Sequence, residues 1–248
     1  INASMNGLSS QTLYGGPAYF IRNIIYHVPN ITKHAAHPSG MIYYHNTFAA
    51  KVNASGNASN YHFRNNLILG WLPLEAIFSA TTFTNYTSSD YNGFRPDPGA
   101  QYSFAWTSPP FDILQDYAKQ GIERKYKNLT EYSQATGHDA HSILVDYDIF
   151  MNVKKADHNN LIRIYKADEL DFRLRPNSIA VDAGCTLPNI NDSFEGRAPD
   201  IGALEAGQPM PIYGPRPQVG HIGGPSRDQQ NAGAITNRGG TQNDRDQN

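Results

Sequence analysis

The sequence is short of cysteine, of charge and of long apolar runs. Its one cysteine, Cys185, excludes an internal disulfide framework and a multi-cysteine metal centre. Cys185 is expected to behave as a small buried apolar residue. Charged residues are 17% of the chain and the formal net charge is −2, so no electrostatic signal points to nucleic acid or an anionic membrane. No apolar run reaches the length of a membrane span, and no signal peptide opens the chain. The phosphate-binding Gly loop, the G-x-S-x-G elbow, H-E-x-x-H and the dinucleotide fingerprint are all missing, which argues against nucleotide and α/β-hydrolase chemistry.

What is present is asparagine at regular intervals beside short apolar runs. "AYFIRNIIYHV" (18–28), "GMIYYHNTFAA" (40–50) and "YHFRNNLILG" (61–70) each have an aromatic or β-branched run, then Arg or His, then Asn, then a second apolar run. Aligning Asn23, Asn46 and Asn66 gives spacings of 23 and 20 residues, and a weaker copy, "SSDYNGF", places Asn92 another 26 on. Such a period predicts stacked repeats. The runs are too short for helices and right for strands. Asn suits the corner between two strands, because it tolerates left-handed backbone and satisfies local backbone groups with its amide. Stacked once per coil, Asn23, Asn46 and Asn66 form a structural ladder. The predicted fold is all-β, a right-handed parallel β-helix. "NITKH" and "GLSSQ" supply the third strand of their coils. The 15 tyrosines are read as strand packing before glycan stacking.

The pattern is expected to break at Phe94, with an insertion over about 94–137. "FRPDPGAQYSFAWTSPP" reads as a surface excursion, and one or two short helices are expected within 111–136, with Gly137 as a stop. "DFRLRPNSIAVDAG" and "PDIGALE" read as closing coils and a cap. The β-helix occupies 1–207. Residues 208–248, rich in Gly, Pro, Gln and Asn, are expected to be an extended or disordered tail. The opening "INASMNGLSS" reads as a fragment or processed product. N-x-S/T triplets at Asn2, Asn30, Asn53, Asn57, Asn85, Asn128 and Asn191 are read as chance in an Asn-, Ser- and Thr-rich chain.

"NGLSSQTLYGGPAYFIRNIIY", "PSGMIYYHNTF" and "RNNLIL" resemble coils of bacterial right-handed parallel β-helix repeat proteins, the pectin-lyase-like superfamily. "LTEYSQATGHDAHSILVDYDIF", "DFRLRPNSIAVDAG" and "FEGRAPDIGALE" resemble the ending common in that group. The likeness covers roughly residues 5–206. It implies the C-terminal part of a longer β-helix whose earlier coils are missing, located in the periplasm, at the cell surface or outside the cell. Without those coils the first strand edge is exposed, and the fragment is expected to be less stable and more prone to aggregate. The group includes lyases, hydrolases, epimerases and proteins without assigned chemistry, so activity does not follow from fold. Relatives often carry Asp-Gly where this chain has Asn6-Gly7, and Asn cannot replace a carboxylate base.

The candidate chemistry is that of a polysaccharide lyase or glycoside hydrolase acting on an acidic polymer. Lys33 and His34 have the residue types to stabilise an enolate-like charge and to take a C5 proton. Gln11 and His37 adjoin them. His45, Arg64 and Arg22 are read as equivalent positions beside the corner, a cationic stack for sugar carboxylates or a structural row. Asp90, Arg95 and Asp97 can be a glycosidase acid–base pair, a calcium site or turn residues. No cofactor is required on this reading, with Ca2+ as the one candidate. His138, Asp139 and His141 have metal-like spacing, but their place in the resembled ending favours capping. Catalytic bets are Lys33, His34 and Asp90; substrate-binding bets are Gln11, His37, His45, Arg64 and Arg95. A non-catalytic glycan-binding, adhesin or surface structural β-helix is the alternative.

Overall fold

The computed structural model describes residues 6–10, 15–34, 39–82, 84, 86–109 and 121–210, apart from the side chains of 55–57. They form a parallel β-solenoid of four successive turns. Each turn supplies one strand to each of three sheets. The first sheet stacks β2 (Ala18–Ile21), β5 (Met41–Tyr44), β8 (Tyr61–Arg64) and β11 (Ser88–Asp90). The second stacks β3 (Ile24–Tyr26), β6 (Thr47–Ala49), β9 (Leu67–Leu69), β12 (Gly93–Arg95) and β15 (Ile143–Leu144). On the third face β1 (Asn6–Ser10) pairs with β4 (Asn30–His34), and β7 (Val52–Ala58), β10 (Phe78–Thr82) and β13 (Phe104–Ser108) follow. The Ile31 amide donates to the Lys51 carbonyl (3.0 Å) and the Asn53 amide to Asn30 Oδ1 (2.9 Å), which joins β4 to β7.

Why these residues stack is visible turn by turn. Alternate side chains point inward, so Met41 and Tyr43 in β5 and Tyr61 and Phe63 in β8 are fully buried. Phe20, Tyr43 and Phe63 lie ring on ring, with centroids 4.9 Å apart at both steps. Phe78 and Phe94 extend the core by edge contacts. At the corner, the residue before each ladder asparagine takes the left-handed conformation: Arg22 (φ 55°), His45 (φ 52°), Asn65 (φ 56°) and Tyr91 (φ 55°). The ladder asparagines themselves supply the hydrogen bonds. Asn46 Oδ1 accepts from the Asn23 amide (3.0 Å) and from Asn23 Nδ2 (2.9 Å). Asn66 Oδ1 does the same for Asn46, and Asn92 Oδ1 for Asn66. The predicted ladder is present and includes the weak fourth copy.

The repeat does not end at Phe94. Phe94 lies in β12 and the "SFAWTS" run contains β13, which pairs in parallel with β10, so the fourth turn closes. β14 (Ile122–Tyr126) then covers the edge of β13 antiparallel. The short helix expected within 111–136 follows it: α1 spans Leu129–Thr136, capped by Asn128, whose side chain accepts from the Glu131 amide, and stopped by Gly137 at φ 71°. Residues 110–120 lie outside the described residues.

β16 (Phe150–Asn152) and β17 (Asp171–Leu174) pair antiparallel with each other. "DFRLRPNSIAVDAG" and "PDIGALE" are therefore not closing coils. Residues 180–205 form a strap that runs back along the corner. The Gly202 amide donates to the Asn65 carbonyl (2.7 Å), the Ala203 amide to Thr47 Oγ1 (3.0 Å), and Arg22 Nη1 to the Ala203 carbonyl (3.3 Å). No helix among the described residues is long and apolar enough to cross a membrane. Of the tail expected over 208–248, residues 211–248 lie outside the described residues.

Candidate functional site on the outward face of the first sheet

In-register stacking turns sequence positions into rows on the solvent side. Tyr19, Ile42, His62 and Ser88 form one row. Ile21, Tyr44, Arg64 and Asp90 form the next. Neighbours in a row are one strand spacing apart, about 4.8 Å. Past β11 the chain lays one more rung: the Asp139 amide donates to the Ser89 carbonyl (2.7 Å) and the His141 amide to Asp90 Oδ1 (2.8 Å). This rung brings the His141 side chain against the Asp90 carboxylate, at the end of the Arg64–Asp90 row.

Asp90 is spoken for by that rung. His141 Nδ1 sits 2.8 Å from Asp90 Oδ2, and the Tyr91 amide donates to Oδ1 (2.9 Å). Burial opposes ionisation of Asp90, but the hydrogen bonds from His141 and the Tyr91 amide outweigh it and hold the carboxyl below its usual range. In the neutral imidazole, the contact with an ionised Asp90 puts the proton on Nδ1 and the lone pair on Nε2. Nε2 has no partner among the described residues, and the side chain is 61% exposed. Tyr91 stacks on the imidazole, centroids 4.7 Å apart and planes 12° from parallel.

Arg64 is Asp90's neighbour in register yet forms no ion pair among the described residues. Nη1 donates to the Phe63 carbonyl (2.8 Å) and Nη2 to Ser88 Oγ (3.1 Å). His62 Nδ1 meets the same hydroxyl at 2.9 Å, and burial and then Arg64 lower its pKa. Tyr19 is 62% exposed and Tyr44 half-buried. The strap borders this face through Cys185, whose amide donates to Asn65 Oδ1 (2.8 Å) and whose thiol pKa is raised by burial.

The other predicted residues lie elsewhere. Lys33 and His34 are adjacent in an alternating strand and so face opposite ways. Lys33 is exposed, whereas His34 is buried among Phe20, Tyr43 and Tyr61, hydrogen-bonded to the Tyr43 hydroxyl, its pKa lowered to about 4 by burial. The structure does not bring them together outside the coil. His45 and Arg64 are not equivalent either: Arg64 pairs with Tyr44, and His45 aligns with Arg22 and Asn65. His45 is buried under the strap. Its Nδ1 donates to the Gly202 carbonyl (3.2 Å), and Nε2 accepts from Asn65 Nδ2 (2.9 Å) and Asn191 Nδ2 (2.7 Å). Burial, then Arg22, lowers its pKa to about 4, so of the two readings of this row, a cationic stack or a structural one, His45 fits the structural one.

Arg95 belongs to the second sheet, where Nε meets Asp146 Oδ1 at 2.7 Å and Nη1 donates to the Gly70 carbonyl (2.9 Å). Asp97 accepts from the Leu74 and Gly99 amides and is not paired with Asp90. Gln11 and His37 lie outside the described residues. Among the described residues no group of three or more His, Cys, Asp or Glu is arranged to hold a metal. Asp139 ends the ladder: its Oδ1 accepts from Asn92 Nδ2 (2.9 Å) and Ser142 Oγ (2.6 Å), and Ser142 Oγ accepts from the Asn92 amide (2.7 Å).

Two features escaped the sequence reading. One is the Asp90–His141 pair, 51 residues apart. The other is a second polar ladder on the third face. Asn30 Nδ2 donates to Asn6 Oδ1 (3.4 Å), the Asn53 amide to Asn30 Oδ1, and Ser79 Oγ to Asn53 Oδ1 (3.0 Å). Asn6 thus has a place as a ladder member, with no carboxylate needed there. The signal was available, because Asn6, Asn30 and Asn53 recur at the ladder period. Comparison with protein families, curated proteins and solved structures found no match.

Proposed function

We propose that the protein is a secreted or cell-surface carbohydrate-active β-helix protein that acts on an acidic polysaccharide laid along the outward face of the first sheet. The observation that carries this reading is Arg64. It is a half-buried guanidinium with no carboxylate partner among the described residues, beside an Asp90 already engaged by His141. A uronate carboxylate supplies the missing partner, and the guanidinium fork suits it. Tyr44 and Tyr19 add stacking surface on adjoining rungs.

The chemistry that fits is β-elimination. With the sugar carboxylate on Arg64, the C5 proton passes to His141 Nε2. Its electron pair forms the C4–C5 double bond, and the C4–O bond breaks. The leaving sugar oxygen takes a proton from water. Asp90 holds the Nδ1–H and stabilises the imidazolium, while Arg64 stabilises the charge that builds on the carboxylate. A second reading is a non-catalytic glycan-binding face, favoured by the exposure of Tyr19.

The test is a panel of acidic and neutral polysaccharides with the whole protein, with and without calcium, following the ultraviolet absorbance of unsaturated uronates and the appearance of reducing ends. Absorbance that falls by about 100-fold or more in His141→Ala supports elimination. Reducing ends alone would move the chemistry to hydrolysis. Binding that requires Arg64, without product, selects the second reading. Neither product nor binding would end both.

A further inference from the structure

The Asn ladder has a direction. In the rungs of Asn23, Asn46 and Asn66 the backbone N–H and one Nδ2 hydrogen serve Oδ1 of the next asparagine toward the C-terminal end, Oδ1 of Asn46, Asn66 and Asn92 faces the N-terminal end, and the second Nδ2 hydrogen of Asn46 and Asn66 goes back to the Phe20 and Tyr43 carbonyls. Oδ1 of Asn46, Asn66 and Asn92 each accepts two hydrogen bonds from the rung before. Oδ1 of Asn23 accepts none among the described residues. The same turn ends the aromatic stack. Tyr43 is sandwiched between Phe20 and Phe63, whereas the far side of Phe20 carries no further stacked ring of the row among the described residues. Among the described residues β2 and β3 are edge strands of their sheets, and β1 is the edge of its pair with β4. One end of the solenoid therefore presents an acceptor, a ring face and three strand edges together.

We infer that this end is a docking surface for one more solenoid turn, stacked in the same direction, with an asparagine at its corner and an aromatic residue three positions earlier. The corner asparagine donates its N–H and Nδ2 to Asn23 Oδ1, as Asn23 does to Asn46. The aromatic ring lies on Phe20, as Phe20 lies on Tyr43. The spacing is that of Tyr43 to Asn46 and Phe63 to Asn66. A second copy of this chain does not meet the requirement. Stacked in the same direction it would offer its other end, where Asp139 and Ser142 close the ladder and β14 covers the β13 edge. Stacked head to head it would set one Asn23 Oδ1 against another, two acceptors with no donor.

The turn can be supplied from the chain's own sequence. A copy of residues 39–52 placed directly before Asn6, in exchange for residues 1–5, leads into β1 as the original leads into Asn53. It sets a copied Asn46 over Asn23 and a copied Tyr43 over Phe20. The comparison is with the unaltered chain, with a Gly/Ser segment of the same length, and with the extended chain carrying Asn46→Ala or Tyr43→Ala in the copy only. The extended chain is expected to melt higher by roughly 5 °C or more, with slower hydrogen exchange at the amides of β2 and β3. Both alanine versions are expected to lose most of that gain. No rise and no slowing, or an equal rise with the alanine versions, overturns the inference. So does a unaltered chain that dimerises through Phe20 and Asn23, which would make a second copy the occupant.

Discussion

The two ends of this solenoid solve the same problem differently. At the C-terminal end the ladder is finished by residues of another type. Asp139 takes the place of asparagine and accepts from Asn92, and Ser142 accepts the Asn92 amide. A terminal rung has nothing below it to donate to, so an acceptor alone suffices. Tyr132 of α1, fully buried, packs on Phe104 and closes the core from that side. β14 covers the last strand of the third sheet and presents Glu123, Arg124 and Lys125, charges that discourage further pairing. At the N-terminal end β2, β3 and Asn23 have the composition of interior rungs. Identical repeats make a column but do not finish one; finishing it takes residues that break the repeat.

The sharpest contrast lies between an interior rung and an end rung. Asn66 is fully buried and fills every role a ladder residue can have. It accepts two bonds from Asn46, and it donates to Asn92 Oδ1 and to the Tyr43 carbonyl (2.8 Å). Asn66→Ala leaves those partners buried without water. The expected loss is about 4 kcal/mol by urea denaturation, because each stranded polar group costs on the order of 1–3 kcal/mol. A loss below about 1 kcal/mol would mean that water or backbone movement replaces the ladder.

The ladder was legible in the sequence because each rung must repeat the same residue, and a period of 20–26 residues survives variable loops. The face of each neighbour was less so. A one-residue slip in the Asn65–Asn66 doublet moved Arg64 into the row of His45, and such a slip exchanges outside for inside. Lys33 and His34 carried suitable chemistry but sit on opposite faces of β4, which their residue types alone do not reveal. β13 was hidden by the proline-rich link after β12. The strap was hidden because no periodicity marks a segment held by single side chains such as Asn191 and Thr47. The Asp90–His141 pair depends on the fifty-residue gap between Asn92 and Ser142 closing onto one rung.

The strap offers the next contrast, a closed corner that depends on an uncharged histidine. His45 Nε2 accepts from two amide groups, so a proton there would face two donors. Its folded pKa, about 4, lies below the ordinary value of 6.5. Between those two values the unfolded chain binds a proton that the folded chain refuses. Stability therefore falls as pH drops from about 6.5 to about 4, and this group adds no further pH dependence outside that window. The full shift is worth about 3 kcal/mol. His34, buried in the core with a pKa also lowered to about 4, adds a loss of the same sign. Asp139 acts the other way, because burial raises its carboxyl pKa. In His45→Gln the difference in unfolding free energy between pH 7 and pH 4.5 should shrink by about 2 kcal/mol. An unchanged difference would mean that the strap is already released in the native state at the lower pH.

The smallest effect is expected at the open end, where Asn23 makes half of an interior rung's bonds. It donates to Asn46 Oδ1 and to the Ile21 carbonyl (3.3 Å), and its own Oδ1 serves no protein donor among the described residues. It is also less buried than Asn46 and Asn66. Water reaches the groups that Asn23→Ala uncovers, so the loss should be about 1 kcal/mol, several-fold below that of Asn66→Ala. The two variants test the difference between rungs without reference to any partner. Equal losses would show that Asn23 is as enclosed as Asn66, and the N-terminal end would then be as closed as the other. A small loss that grows toward the Asn66 value when an extra turn is grafted before Asn6 would show that position in the column sets what an asparagine contributes, because its sequence and its own bonds to Asn46 are unchanged.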